Sequence, residues 1–299
     1  MHPAKQTGAY AAGLAAVLAW STVATAFKIS LAYLTPSQLL LWANLASLLS
    51  LLSLLTIQGR LQEAAATLRQ HWRRSLLLGA VNPFAYYLVL FQAYSLLPAQ
   101  EAQAINYTWA LTLTILSVPV LKQHLRPHDM LAALVCYGGV LAIATRGDPF
   151  GLHFDSPRGV ALALWSTLLW AGYWLANTRD TRDPVIGLAL NFACALPMIF
   201  LWCAWHGELS LPPWRGLAGA GYVGAFEMGF TYVLWLFALK RTDSAARIAN
   251  LIFLSPLISL LLIHWLLGEE ILPSTLVGLS LILGGLLLQK WPAQRAATA

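Results

Sequence analysis

The chain has 299 residues, a formal charge of +6, 59% hydrophobic residues, 10% charged residues and a mean hydropathy of +0.65. A soluble domain carries about 25% charged residues, so these figures exclude one and indicate an integral membrane protein. The positive charge does not mark a nucleic-acid binder, because the basic residues fall in short clusters between apolar runs, as topology determinants do.

In chain order the apolar runs predict ten spanning helices, each near the ~20 residues that a bilayer core requires. They cover about 9–28, 37–58, 75–97, 100–121, 129–146, 157–178, 185–205, 214–239, 244–267 and 271–290. Lys5, the first apolar run and Ala24-Thr25-Ala26 resemble a secretory signal, but the run from Ala9 to Phe27 is long enough to span and is read as an uncleaved helix. The short linkers carry breakers such as Pro36, Gly59, Pro98, Asp183-Pro184, Pro212-Pro213 and Pro273. No long linker or low-complexity segment interrupts 1–299, so a single transmembrane domain is expected. With the N-terminus inside, 14 Lys and Arg residues fall on the cytoplasmic side and 4 on the other, which places both termini in the cytoplasm.

The chain also matches itself. Trp20-Ser21-Thr22 recurs as Trp165-Ser166-Thr167, 145 positions on, and the same offset pairs Gly79-Ala80 with Gly224-Ala225, Tyr87 with Tyr232 and Ala93 with Ala238. At offset 146, Gly138-Gly139 meets Gly284-Gly285. Five helices repeated, with repeat one at about 9–146 and repeat two at about 157–290, imply inverted halves, because an odd number of spans reverses the entry side. Such transporters bind near the midplane, between the repeats.

The stretch from Asn82 to Trp109 sets aromatic rings and amides inside apolar segments. Offset 145 places Asn82 opposite Glu227, the one acidic residue well inside a predicted span. A carboxyl group there is costly unless protonated, paired or wet; it serves proton coupling, a substrate amine, or helix packing as a neutral hydrogen-bonded acid. Trp72, Trp205, Trp214 and Trp291 sit at span ends, as interfacial belt residues do. Deeper lie Tyr86, Tyr87, Tyr107, Trp109, Trp165, Trp170 and Tyr232, near the amides of Asn82, Asn106 and Asn250. Rings with a few amides suit a flat, partly apolar small-molecule ligand, or else simple core packing. Pro83, Pro119, Pro197 and Pro256 are candidate kinks, while Gly216, Ala220 and Gly224 form a small-residue packing face.

Cys136, Cys194 and Cys203 lack metal spacing and are read as packing residues. His124, His128 and Asp129 sit around Pro127, which breaks the helix that would align them, so no metal is expected. With no phosphate-binding loop or nucleophile motif, neither a cofactor nor an ATP-driven step is expected.

Ser255-Pro256, Gly268-Glu269, Pro273, Gly278 and Gly284-Gly285 in the second half resemble the pattern of the drug/metabolite transporter superfamily, in its EamA-type group. The first half keeps Gly138-Gly139 but has Lys122-Gln123 where the Gly-Glu turn would fall. The resemblance implies an all-α integral membrane bundle of ten helices as two inverted five-helix repeats around a central cavity, in a bacterial inner membrane. The aromatic third and fourth helices look most like the YddG-type exporters of aromatic amino acids. That implies outward transport of aromatic or hydrophobic amino acids by alternating access. A multidrug or cationic-compound exporter is the alternative, and an intramembrane lipid-modifying enzyme a remote one.

Overall fold

Three long helices begin where a proline follows a side chain able to accept from first-turn N–H groups. Before Pro36, Thr35 Oγ1 accepts from Gln38 N and Gln38 Oε1 accepts from Thr35 N, both at 3.2 Å. Before Pro157, Ser156 Oγ accepts from Gly159 N; before Pro184, Asp183 Oδ1 accepts from Val185 N and Ile186 N. Proline at the first helical position wastes no donor, since that N–H has no intrahelical partner.

The computed structural model describes residues 3–121, 127–148, 156–242, 248 and 251–298, and these residues are helical without a strand. In order come α1 (Pro3–Ser21), α2 (Val23–Leu31), α3 (Pro36–Ile57), α4 (Leu61–Gly79), a first π-helical segment (Ala80–Ala85), α5 (Tyr86–Leu96), α6 (Ala99–Asn106) and α7 (Trp109–Leu121). Then follow α8 (Pro127–Ala144), α9 (Pro157–Asn177), α10 (Pro184–Trp205), α11 (Trp214–Tyr222), a second π segment (Val223–Phe230), α12 (Thr231–Arg241), a 3₁₀ turn (Leu251–Phe253), α13 (Leu254–Leu267) and α14 (Pro273–Thr298).

Six stretches among these are long and apolar enough to cross a membrane: Thr7–Leu31, Pro36–Ile57, Leu61–Leu96, Pro157–Asn177, Pro184–Trp205 and Trp214–Leu239. The expected spans at 129–146, 244–267 and 271–290 correspond to shorter apolar helices. The expected continuous helix over 100–121 is divided in two at Tyr107 and Thr108, where Thr108 Oγ1 donates to Ile105 O. The expected start at 75 lies at Leu61 instead, because a polar helical stretch precedes the apolar one; non-helical backbone at His71 marks the bend between them.

Helices gather into two compact units, Met1–Phe91 with Thr181–Gly268 and Gln92–Asp180 with Glu269–Ala299. Each unit draws helices from both halves of the sequence. Phe27, Phe91, Phe192, Leu39, Leu51 and Ile186 are fully buried in the first; Leu97, Ile105, Leu111 and Ile143 are fully buried in the second. At the end of α13, Gly268 takes φ +69°, a conformation that glycine adopts without steric cost. Glu269 then accepts from the N–H groups of Ala99 at 2.7 Å and Gln100 at 3.3 Å, capping α6, whose own preceding residue, Pro98, offers no cap.

Glycines set how closely the helices approach. A β-carbon on Gly79 would press into Asn191 O and Ala195 N of α10, and one on Gly224 into Ala43 O and Ser47 N of α3. Asn191 follows Ala43, and Ala195 follows Ser47, by the same 148 positions that separate Asp183-Pro184 from Thr35-Pro36. One contact is thus made twice within the first unit. In the second unit a β-carbon on Gly139 would meet Gly278 O at 2.5 Å and one on Gly285 would meet Ala132 O at 2.9 Å. Offset 146 turns the first of these pairs into the second. Close backbone approach at small residues is how helices gain packing energy in lipid.

Gly224→Ala is therefore expected to cost about 1–3 kcal/mol through overpacking against backbone, read as a lower midpoint of thermal unfolding in detergent. Gly172→Ala, where nothing stands within 4 Å of an added β-carbon, is expected to stay within ~0.5 kcal/mol of the parent.

Candidate functional site

The stretches Leu61–Leu96 and Trp214–Leu239, which offset 145 sets side by side, each carry a π segment. Offset 145 takes 80–85 onto 225–230, inside the second segment. A π turn widens the helix and is often found at functional sites. In the first segment Pro83 supplies no N–H, and Asn82 leaves helical geometry altogether at φ −137°, ψ 116°. In the second, Ser47 on α3 donates to Met228 O at 3.0 Å.

The polar residue that each segment holds is short of partners. Asn82 is 2% exposed and its Oδ1 is buried without a hydrogen bond. Glu227 Oε1 accepts from the Tyr87 hydroxyl at 3.3 Å, while Oε2 is buried without one. Buried polar groups are ordinarily satisfied, and an orphaned one calls for an explanation. These two orphans are acceptor oxygens, so what they lack is a donor: a proton, an amine or an amide.

Rings line up behind this pair within the first unit. Tyr86 and Tyr87 meet edge to face at 4.8 Å, Tyr87 and Phe91 lie at 5.4 Å, and Phe91 and Phe27 at 4.8 Å. Trp20 and Trp235 form a second edge-to-face pair at 5.3 Å. Tyr232 is half-buried near the start of α12.

The second unit contains its own aromatic cluster. Trp109, the first residue of α7, stacks on Trp174 at 6.3 Å and meets Trp170 edge to face at 6.4 Å. Trp170 in turn meets Trp174 at 5.9 Å and stacks on Tyr173 at 5.7 Å. Asn106, closing α6, donates to Ser166 Oγ at 3.0 Å, and Thr112 shares hydroxyl contacts at 3.0 Å with both Thr167 and Tyr137. Tyr107 is half-buried at the break between α6 and α7.

Sequence reasoning thus named Asn82, Tyr86, Tyr87 and Glu227, which the fold brings together or matches in the first unit, and Asn106, Trp109 and Trp170, which it places in the polar and aromatic clusters of the second. Trp165 stands outside the ring cluster, 54% exposed, because five helical positions turn it to a different face from Trp170. Asn250 lies outside the described residues, as do Lys122, Gln123 and His124. Tyr173, Trp174, Phe91, Thr112 and Tyr137 were missed. The i, i+3, i+4 spacing of Trp170, Tyr173 and Trp174 was the available signal, since such residues share a helix face. Among the described residues no group of three or more His, Cys, Asp or Glu is arranged to hold a metal.

The EamA-like transporter family model matches twice, over residues 7–145 and 157–289. The "Aromatic amino acid exporter YddG" of Ancylobacter novellus is 28% identical over 264 residues, covering 84% of this chain and 86% of that one. The "Uncharacterized transporter YvbV" of Bacillus subtilis is 26% identical over 287 residues, covering 94% and 92%. A solved crystal structure, 23% identical, superposes with a TM-score of 0.65 over 97% of this chain and 99% of its own, which establishes a shared fold.

Tyr87→Phe removes the donor to Glu227 Oε1 and is expected to destabilise the protein by about 1–3 kcal/mol, the cost of a buried polar group left unmatched. The double variant Tyr87→Phe/Glu227→Leu is expected to recover most of that loss, since replacing both partners by apolar groups is close to neutral. Thermal unfolding of the parent, Tyr87→Phe, Glu227→Leu and the double variant in one detergent measures both effects; additive losses would mean that the pair does not interact.

Proposed function

The chain belongs to the EamA-like transporter family, and we propose that within it the protein is an inner-membrane exporter of aromatic or hydrophobic amino acids, working by alternating access through inverted repeats. What carries this reading is the matched pair of π segments, each holding a polar residue with a buried, unpartnered acceptor oxygen. Transporters commonly bind substrate where spanning helices are interrupted, and those interruptions recur at corresponding places in the two repeats.

An amino acid with an aromatic side chain has the chemistry these residues lack. Its ammonium group donates hydrogen bonds, its carboxylate accepts them, and its ring stacks. In this reading Glu227 takes the amine or exchanges a proton, and Asn82 orients the amino or carboxylate end. Tyr86, Tyr87 and Tyr232, all in the same unit, offer ring surfaces. The 28% identity to a protein named as an aromatic amino acid exporter supports the substrate class, and the 14-to-4 division of Lys and Arg supports cytoplasmic termini. A second reading, export of cationic drugs, is favoured by a single acidic side chain close to aromatic faces, since rings attract cations.

Flux of labelled Trp, Phe and Tyr in proteoliposomes tests the proposal. Saturable transport of at least one is expected; none for all three, with flux of a cationic dye, would favour the second reading instead. If Glu227 holds the amine, Glu227→Gln raises KM roughly tenfold, equivalent to ~1.4 kcal/mol, with or without a pH gradient. If it carries a proton, the variant loses its response to the gradient. Unchanged flux under both conditions would return Glu227 to a packing role.

A further inference from the structure

The helical stretch Leu61–Leu96 has 36 residues and, at 1.5 Å each, runs about 54 Å, well beyond the ~30 Å of a hydrocarbon core. Its charged residues decide which part lies outside that core. Positions 75–96 carry none, whereas 60–74 hold Arg60, Glu63, Arg69, Arg73 and Arg74. The 22 uncharged positions span about 33 Å, which matches the core and sets Arg69, Trp72 and Arg73 at the level of the lipid headgroups.

One face of α4 is taken up by the first unit. Ala64 and Ser75 are buried on it. Ser75 Oγ accepts from the Arg182 guanidinium at 2.6 Å, and Arg60, just before the helix, pairs with Asp183 at 3.2 Å. The other face is uncovered: Arg69 and Arg73 are exposed, as are Trp72 at 51%, Leu76 at 37% and Leu77 at 70%. Its charge is not met by protein either. Glu63, the one acid of α4, is held by the Arg60 guanidinium through two hydrogen bonds of 2.7 and 2.9 Å. Among the described residues neither Arg69 nor Arg73 pairs with a carboxylate; Arg73 lies over the Trp72 ring, 5.3 Å from its centroid.

We propose that this face of α4 holds an anionic phospholipid, with Arg69 and Arg73 donating to its phosphate and an acyl chain lying along Leu76 and Leu77. A guanidinium presents paired donors that match phosphate oxygens, and the Trp72 indole beneath Arg73 limits where that side chain goes. Charge selects the lipid. A zwitterionic headgroup brings its own cation to a surface that already carries Arg69, Arg73 and Arg74, whereas a purely anionic one is attracted throughout. Apolar side chains select a lipid over a soluble phosphate, because Leu76 and Leu77 stand exposed one turn below Arg73 and in water would gain nothing from a small anion.

Native mass spectrometry of the full-length protein, delipidated and then titrated with dioleoyl phosphatidylglycerol or dioleoyl phosphatidylcholine, tests the proposal. At roughly fivefold for each arginine near an anionic surface, the first phosphatidylglycerol is expected to bind about twentyfold more tightly than phosphatidylcholine. Arg69→Gln and Arg73→Gln are each expected to lower that ratio about fivefold, and together to bring it close to one. Arg158→Gln/Arg179→Gln removes the same charge from exposed positions in the second unit and is expected to leave the ratio unchanged. Equal binding of the two lipids by the parent would overturn the proposal, as would a preference that survives the double variant on α4. An equal loss in the second-unit variant would overturn the location, reducing the preference to one for net charge. Displacement of phosphatidylglycerol by glycerol 3-phosphate would overturn the occupant, making the face a site for soluble phosphates.

Discussion

In lipid a leucine gains little by turning away from its surroundings, since those surroundings are as apolar as itself, so a bundle depends on how closely its backbones approach. Here that approach rests on glycines. Gly79 against α10 and Gly224 against α3 bring helix backbones together so tightly that a β-carbon on either would press into a facing carbonyl oxygen. Gly139 and Gly285 do the same for α8 and α14. The positions of polar groups follow from these contacts. Ser47, whose backbone N–H lies against Gly224, is held where its hydroxyl satisfies the Met228 carbonyl in the second π segment.

The π segments are where this packing gives way to polarity. A helix satisfies its backbone within itself, and interrupting that pattern twice at corresponding sites carries a cost that a purely structural bundle has no reason to accept. The cost is confined. Gly79 directly precedes the first segment, and Gly224 lies inside the second, so each irregular stretch is clamped to a neighbouring helix at its glycine. Beyond each clamp comes the residue with an orphan oxygen, Asn82 or Glu227. Rigid support beside an unsatisfied acceptor is a suitable arrangement for holding a donor and releasing it.

Two charged side chains in the first unit are matched by several partners. Arg182 is buried, yet its guanidinium donates to Ser75 Oγ at 2.6 Å and Asn191 Oδ1 at 3.1 Å. Asp183 combines capping of α10 with an ion pair to Arg60 at 3.2 Å. Burial alone would raise the Asp183 carboxyl, but the Ile186 N–H and the Arg60 guanidinium outweigh it and hold it below its usual range. The Gly-Glu turn also acquires a physical meaning: glycine supplies the left-handed conformation that ends α13, and the glutamate that follows caps α6.

Much of this was legible in the residues alone. Low charge and long apolar runs dictate a helical membrane protein, because only helices and closed barrels satisfy their backbones in lipid. Recurrence of Gly79-Ala80 and Tyr87 at a fixed offset singled out Asn82 and Glu227, since equivalent positions of a repeat meet equivalent neighbours. Sequence periodicity did not reveal that the 100–121 run is divided at Tyr107 and Thr108. The i, i+3, i+4 spacing of Trp170, Tyr173 and Trp174 did carry the signal that these rings share a helix face, which Trp165, five positions from Trp170, leaves. The π turns and the orphan oxygens of Asn82 and Glu227 were decided by tertiary structure alone. Whether a polar group finds a partner depends on what another helix places beside it, and composition carries no record of that.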